Sequence, residues 1–491
     1  MRYVGIVCLT LTFISGIFIP RAALGQSADQ NVQDLRKQLD DLREQMNKIQ
    51  ARLDQLGTAQ ATASTSTPSA VASHQQGTIE STQVLAQIAP SSTQAVGEQT
   101  ATYNEFSEDT VAAPRFDNVP LDRKYEGFFQ LPGTQTILKI GGYFKSDFIR
   151  DWKAAGNTDA FVPSSFPVPQ VPGVYNVNVS IRPTRLSLDF RIPTTQIGEV
   201  RFYLEGDLFG TNATTPRLRH AYAQALNFLV GQTFTNFMDP DAFPDTLDFQ
   251  GPNGMVNLRN PQFRYGLGLR PGMTLYVSIE KPSSDVTFST PQFAAQPNAP
   301  HPDGTVRLRQ EYQRGHVQVA TIFRSIAASL PNGQSDTVFG WGFNVSADVK
   351  TFGRDNIILA AAGGHGISRY IQDTSGLGID AEPSSTPTPH LQATRAAGLS
   401  GAYQHYWSKT WRSSAFYSYA AVHNTALEPL TTYNHATYTG GNLIWTPSGS
   451  SLNVGAEFLY GWKVLQNGEE ANDPRLQFSA KYSFVKTKTE R

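Results

Sequence analysis

Residues 475–484 alternate without a fault, and a strict period of two commits a segment to a strand with two chemically different faces. Leu476, Phe478, Ala480, Tyr482 and Phe484 point one way, while Arg475, Gln477, Ser479, Lys481 and Ser483 point the other. An apolar face that ends in two aromatics near the close of a chain is the pattern of a closing strand in a barrel whose outside lies in lipid. A soluble secreted β-protein is the competing explanation.

The same alternation recurs upstream. Val200, Phe202 and Leu204 alternate with Arg201, Tyr203 and Glu205; Phe339, Trp341, Phe343 and Val345 alternate with Gly340, Gly342, Asn344 and Ser346; Leu452, Val454, Ala456, Phe458 and Tyr460 face away from Asn453, Gly455 and Glu457. Compact links fall near 193–198, 226–227, 270–273, 313–316, 352–356, 405–410 and 447–451. Between them lie longer Pro- and Gly-bearing connections, notably 151–174, 236–260, 283–303 and 368–390. Tight ends on one side and elaborated ends on the other are how outer-membrane barrels are built. The spacing predicts an all-β transmembrane barrel of about sixteen antiparallel strands over residues 136–484. No stretch beyond the N-terminal segment reaches the roughly 18 consecutive apolar residues of a transmembrane helix, which leaves a closed barrel as the way to span a bilayer.

The N-terminal third is organised differently. Residues 1–25 read as a secretory signal: Arg2 supplies the positive start, 4–19 are mostly apolar, and Ala23, Leu24 and Gly25 offer small residues for cleavage. The only cysteine, Cys8, lies inside that signal. The mature protein therefore has no disulfide, thiol nucleophile or cysteine-ligated metal. Residues 26–57 carry an unbroken seam of Val32, Leu35, Leu39, Leu42, Met46, Ile49, Leu53 and Leu56, spaced three and four apart, which predicts an α-helical coiled coil ended by Gly57. No Asn enforces a dimer, and the mixed seam permits a trimer. Residues 58–99 form a flexible tether rich in Ala, Ser, Thr and Gln. Residues 100–135, with Pro114, Pro120 and Pro132, make a pre-barrel segment, and 485–491 are a short tail.

A formal net charge of −1 gives no whole-protein attraction to nucleic acid, so any electrostatic function rests on local segregation of charge. Segregation is what the strands offer. If apolar side chains face lipid, the opposite parity sends Lys139, Lys145, Arg185, Arg191, Arg201, Arg217, Arg219, Arg264, Arg307 and Arg309 into the lumen. A wall of arginines in a narrow low-dielectric pore concentrates anions, and the guanidinium fork holds carboxylates bidentately. The plainer reading is that these cations solvate the lumen, balanced by Asp189, Glu199, Glu205 and Glu311.

After the fifth strand comes an acidic stretch stiffened by Pro240, Pro244 and Pro252, carrying Asp239, Asp241, Asp245 and Asp248. Folded inward, it narrows the barrel and sets a transverse field against the arginines; the alternatives are an exposed outer loop and a Ca²⁺ site, but the acids lack the order of an EF-hand loop. His220, His316 and His405 stand at no telling spacing from a framed serine. The pattern therefore argues against an enzyme, and nothing in it calls for a metal or cofactor.

The runs VRFYLEGDLFG (200–210), PRLRHAYAQ (216–224), VGQTFTNFMDPDAFPDTLDFQGPNG (230–254) and GGYFKSDFIRDW (141–152) resemble the DcaP-like outer-membrane porins. So does the order of signal, coiled coil, tether and barrel. The resemblance implies a homotrimer of 16-stranded barrels in outer-membrane lipid, with a periplasmic coiled coil and a preference for small anionic solutes such as dicarboxylates. It matches Arg201, Arg217 and Arg219 to the family's basic wall and 239–248 to its inward loop; the tail past Phe484 departs from the family's usual aromatic end. Two functions follow as expectations. One is passive, selective diffusion of small anions through the outer membrane; the other is a structural barrel that tethers the envelope through its coiled coil.

Overall fold

A computed structural model describes residues 127–211, 214–287, 296–329, 335–383, 390–425 and 427–484. The expected signal, coiled coil, tether, most of the pre-barrel segment and the tail lie outside the described residues.

Sixteen antiparallel staves close into a barrel. In chain order they are β1 (Ile137–Asp151), β2 in two pieces (Asn176–Ser180 and Arg185–Thr194), β3 (Gly198–Asp207), β4 (Arg217–Ala225), β5 (Phe228–Phe234), β6 (Arg259–Arg270), β7 (Met273–Glu280) and β8 (Asp303–Tyr312). The second half runs through β9 (Gly315–Ser329), β10 (Ser335–Lys350), β11 (Asn356–His365), β12 (Arg395–Tyr406), β13 (Trp411–His423), β14 (Tyr433–Trp445), β15 (Leu452–Leu465) and β16 (Glu470–Ser483). Each stave pairs with the next, and β1 pairs with β16 from Tyr143 opposite Ser483 to Asp151 opposite Arg475, so the barrel sheet closes on itself. Two short additions, Phe129–Gln130 on β1 and Gln296–Asn298 on β9, extend the sheet without adding a stave. Among the described residues no α-helix occurs, only short 3-10 turns.

The alternation sorts side chains as a bilayer requires. On β10, Phe339, Trp341, Phe343 and Val345 stand exposed on the outside while Asn344, Ser346 and Asp348 are buried within. A continuous belt of exposed aromatics of this kind is intolerable in water and ordinary in lipid. Strands of 15 residues in β1 and 16 in β10 exceed the ~9–11 that cross the hydrocarbon, so they project beyond it. The tight turns 195–197, 226–227, 271–272, 313–314, 351–355, 407–410 and 446–451 share one end with the start of β1 and the finish of β16. By the usual build this is the periplasmic end, and the long loops face outward.

The inside is divided in a way that parity alone does not reveal. One wall, β1 to β4, is charged. The facing wall, from β9 to β14, presents small and branched apolar groups: Ala320, Ile322, Ala362, Ala396, Ala420, Val422 and Ala436 are all buried inward. Phe237, Met238 and Val256 from loop 235–258 pack on them, with Ile367, Tyr370 and Ile371 from loop 366–394. Alanines there leave the volume that the two incoming loops fill.

Candidate functional site

Loop 235–258 leaves β5 and crosses the barrel interior before returning at Arg259. It docks twice. At its first dock Asp239 accepts from Arg309 Nη1 at 3.1 Å and Ser346 Oγ at 2.5 Å, and lies 2.8 Å from His316 Nε2. Asp241 is 2.9 Å from Arg309 Nη2. Burial alone would raise the Asp239 carboxyl, yet His316 and Arg309 hold it well below the usual carboxylate range. Asp239 also caps the short turn Pro240–Ala242 by accepting from the Asp241 amide.

At the second dock Arg412 Nε donates to Asp245 at 2.6 Å, and Asn442 donates to the Asp245 carbonyl. Glu457 accepts from the backbone amides of Leu247 and Asp248 at 2.7 and 2.8 Å. Asp248 accepts from the amides of Phe161 and Gly251, and its burial pushes its carboxyl up. The four acids are thus buried in the loop's docking contacts. The transverse field expected from carboxylates standing free against the arginines is not what the geometry gives, because Asp239, Asp241 and Asp245 each meet a cation of the wall they rest on. The physical reason is desolvation: a carboxylate taken out of water inside the barrel needs a partner at hand.

The ten basic residues fall into three groups. Lys145, Arg185, Arg217 and Arg219 gather beside the tip of the loop. Arg217 reaches Asp207 at 2.7 Å, and Arg219 bridges Glu205 and Asp207, each at 2.8 Å. Lys145 donates to the Leu247 carbonyl. Arg185 is different. It is buried, its nearest carboxylate oxygen is 4.0 Å away on Glu205, and its Nε and Nη1 have no hydrogen-bond partner among the described residues. Nearer the periplasmic mouth, Asp189 takes both Arg191 at 2.8 Å and Arg201 at 2.9 Å, with Glu199 on Arg191 at 2.6 Å; Lys139 is half-buried beside the Phe128 ring. Arg264, Arg307 and Arg309 brace the loop side: Arg264 donates to the Phe234 carbonyl, and Arg307 stacks 4.0 Å from the Tyr276 centroid.

Arg219 and its neighbour His220 are both buried, although successive strand residues should face opposite ways. A β-bulge explains this: Glu205 pairs with His220 and Gly206 with Leu218, so Arg219 is the extra residue and the inward parity passes from Arg217 and Arg219 to His220 and Tyr222. The loop tip meets this cluster through Phe249. Its ring lies 5.5 Å from the Arg219 guanidinium, 5.6 Å from Arg185 and 5.9 Å from Arg217, and stacks on Phe209 at 4.0 Å.

Loop and wall enclose a cavity of about 220 Å³. Seven basic side chains line it against two carboxylates, Asp245 and Asp248, while Glu205, Asp207 and Asp147 pair with Arg219, Arg217 and Lys145. Arg259, Arg412 and Lys481 belong to this lining in addition to the residues singled out from sequence. Alternation with Trp411 and Tyr417 is the signal that places Arg412 inside. Arg259 sits where the loop returns and follows no parity.

A closed barrel with an even number of antiparallel strands, an apolar outer belt and a loop folded into its lumen defines a porin-like outer-membrane channel. The chain belongs to the DcaP outer membrane protein family, whose family model matches residues 130–484. Among solved structures it is similar to the outer membrane channel DcaP of Acinetobacter baumannii, at 24% identity and a TM-score of 0.64, covering 72% of this chain and 99% of that one. An anion-selective porin from Comamonas acidovorans matches at 10% identity and a TM-score of 0.47, covering 71% of this chain and 100% of that one. OmpT of Vibrio cholerae matches at 10% identity and a TM-score of 0.45, covering 72% and 99%. No curated protein matches the chain.

Proposed function

We propose that this channel gives passive, selective diffusion to small anionic solutes, with dicarboxylates the favoured class. The observation that carries the reading is the gathering of Lys145, Arg185, Arg217 and Arg219 on the narrow space beside the inward loop, where the Nε and Nη1 of Arg185 have no hydrogen-bond partner among the described residues. Cations gathered on a narrow, low-dielectric passage concentrate anions, and guanidinium forks hold a carboxylate bidentately. The second carboxylate of a small diacid finds further cations along the same wall. In this reading residues 1–25 direct export and are removed, 26–57 form a periplasmic coiled coil joining three barrels, and 58–99 tether it. Reversal potentials across planar bilayers with a salt gradient test the reading, and cation selectivity would refute it.

The heptad seam of Val32 to Leu56 also supports a second role, in which the barrel anchors a tether within the envelope. A lumen that conducts no ions, with loss of envelope integrity on deleting residues 28–57, would favour that role.

A further inference from the structure

The periplasmic rim is divided by charge. On or immediately beside four successive tight turns, from β6 through β13, stand the exposed cations Arg270, which ends β6, and Arg314, Arg354 and Lys409. The remaining tight turns, 195–197, 226–227 and 446–451, carry no charged side chain. Interleaved with the cations are three exposed aromatics, Tyr312, Phe352 and Trp407.

Two of these aromatics continue rows that already face lipid. Tyr312 follows Val306 and Leu308 down the outside of β8, and Trp407 follows Leu399 and Tyr403 down the outside of β12. The cations therefore sit where the outer rows leave the hydrocarbon, at headgroup level, the place where aromatic belts and basic side chains collect. The neighbouring carboxylates are already engaged. Glu311 accepts from Arg309 at 2.5 Å, and Asp355 accepts from Tyr403, His405 and the Tyr406 amide. Arg354 lies 4.5 Å from the ring centroid of Tyr406, which pairs with the inward Arg412, so its guanidinium stands at the lumen side of the rim.

We propose that this arc binds the phosphate headgroups of anionic phospholipids in the inner leaflet, fixing the barrel's depth and its lipid neighbours on that side. Positive side chains at a membrane surface attract anionic lipid, and the adjoining aromatic rings seat at the same level. Tyr312 and Trp407, in line with the lipid-facing rows, set these cations at the level of the leaflet surface, which favours a lipid over a soluble partner.

Native mass spectrometry of the purified full-length channel, titrated with dioleoylphosphatidylglycerol or dioleoylphosphatidylcholine, tests this. Phosphatidylglycerol should be retained about ten-fold more than phosphatidylcholine, falling to within about two-fold in R270Q/R314Q/R354Q/K409Q. The charge-keeping variant R270K/R314K/R354K/K409R should retain the preference. Should the quadruple variant fail to fold, R314Q/K409Q leaves the Arg354–Tyr406 contact intact and should still lose part of it. Equal retention of the two lipids by the unmodified protein overturns the proposal. So does a variant that keeps its lipid preference but loses binding to purified peptidoglycan, which would assign the arc to the cell wall.

Discussion

Arg412 Nε donates to Asp245 Oδ2 at 2.6 Å, fastening the inward loop to β13, halfway round the barrel from β5 where the loop begins. Both side chains are buried, and a buried pair that loses one member leaves an uncompensated charge, at a cost of ~3–5 kcal/mol. D245N should therefore lower the denaturation midpoint and increase open-channel noise. D245N/R412Q should cost less than the sum of the single changes, because it leaves no orphaned charge. Denaturation curves with single-channel recordings check this. Unaltered noise and stability in D245N would mean that Glu457 and Asp239 hold the loop without it.

Arg185 and Arg219 face the same cavity but stand in opposite energetic positions. Arg219 is satisfied by Glu205 and Asp207, whereas Arg185 has no hydrogen bond from Nε or Nη1. R185Q should reduce the anion-to-cation permeability ratio while leaving thermal stability within about 1 kcal/mol of the parent. R219Q should reduce the ratio further, since it strips Glu205 of its close cation and leaves Asp207 with Arg217 alone, and should destabilise by ~3–5 kcal/mol. Reversal potentials and heat-modifiability gels on the two variants separate these outcomes. An R185Q channel with undiminished anion preference would move the filter away from Arg185.

The barrel was legible because its signal is local. Each stave announces its outer face two residues at a time, as in Phe339 to Val349, and the tight turns fall where alternation stops. What alternation cannot carry is any contact between segments distant in sequence. The inward direction of Arg219 follows from parity, but His220 joins it only through a bulge whose partner, Glu205, lies on another strand. The acids 239–248 stand out as a cluster in the sequence, yet their partners Arg309, His316 and Arg412 come from β8, β9 and β13 and are visible only once the barrel has closed. The alanine floor under the loop carries no signal in the alternation, because a methyl group marks neither face.

Glu382 supplies a pH test of the outer loops. It is buried in the hairpin Ala381–Pro383 with Leu391–Ala393, accepts from the Thr425 amide, and burial together with the nearby Glu428 pushes its carboxyl up to about 7. An acid whose folded pKa is raised binds more protons folded than unfolded, so stability is present below the unfolded pKa and lost as pH rises toward the folded one. Between pH 5 and 8 the contact joining loops 366–394 and 424–432 should weaken. Protease protection of loop 366–394 should fall over that range in the parent and stay level in E382Q. A parent profile without slope would show that Glu382 does not govern the contact.

Gly254 and Gly398 let the loop lie flat on the far wall. A β-carbon on Gly254 would overlap the carbonyl oxygen of Tyr419, and one on Gly398 would overlap the carbonyl of Gly254 itself. The Gly254 amide meanwhile donates to Ser418 Oγ at 2.8 Å, which fixes the approach. Overpacking at so close a contact typically costs ~1–3 kcal/mol, and the relief available is for the loop to move toward the basic wall, into the cavity. G254A and G398A should therefore lower both stability and single-channel conductance. G401A, whose β-carbon would meet only Leu359 at an ordinary 3.5 Å, should change neither. Conductance that rises in G254A would mean that the displaced loop leaves the lumen, and with it that the loop, as seated here, is what narrows the channel only while it touches β12 and β13.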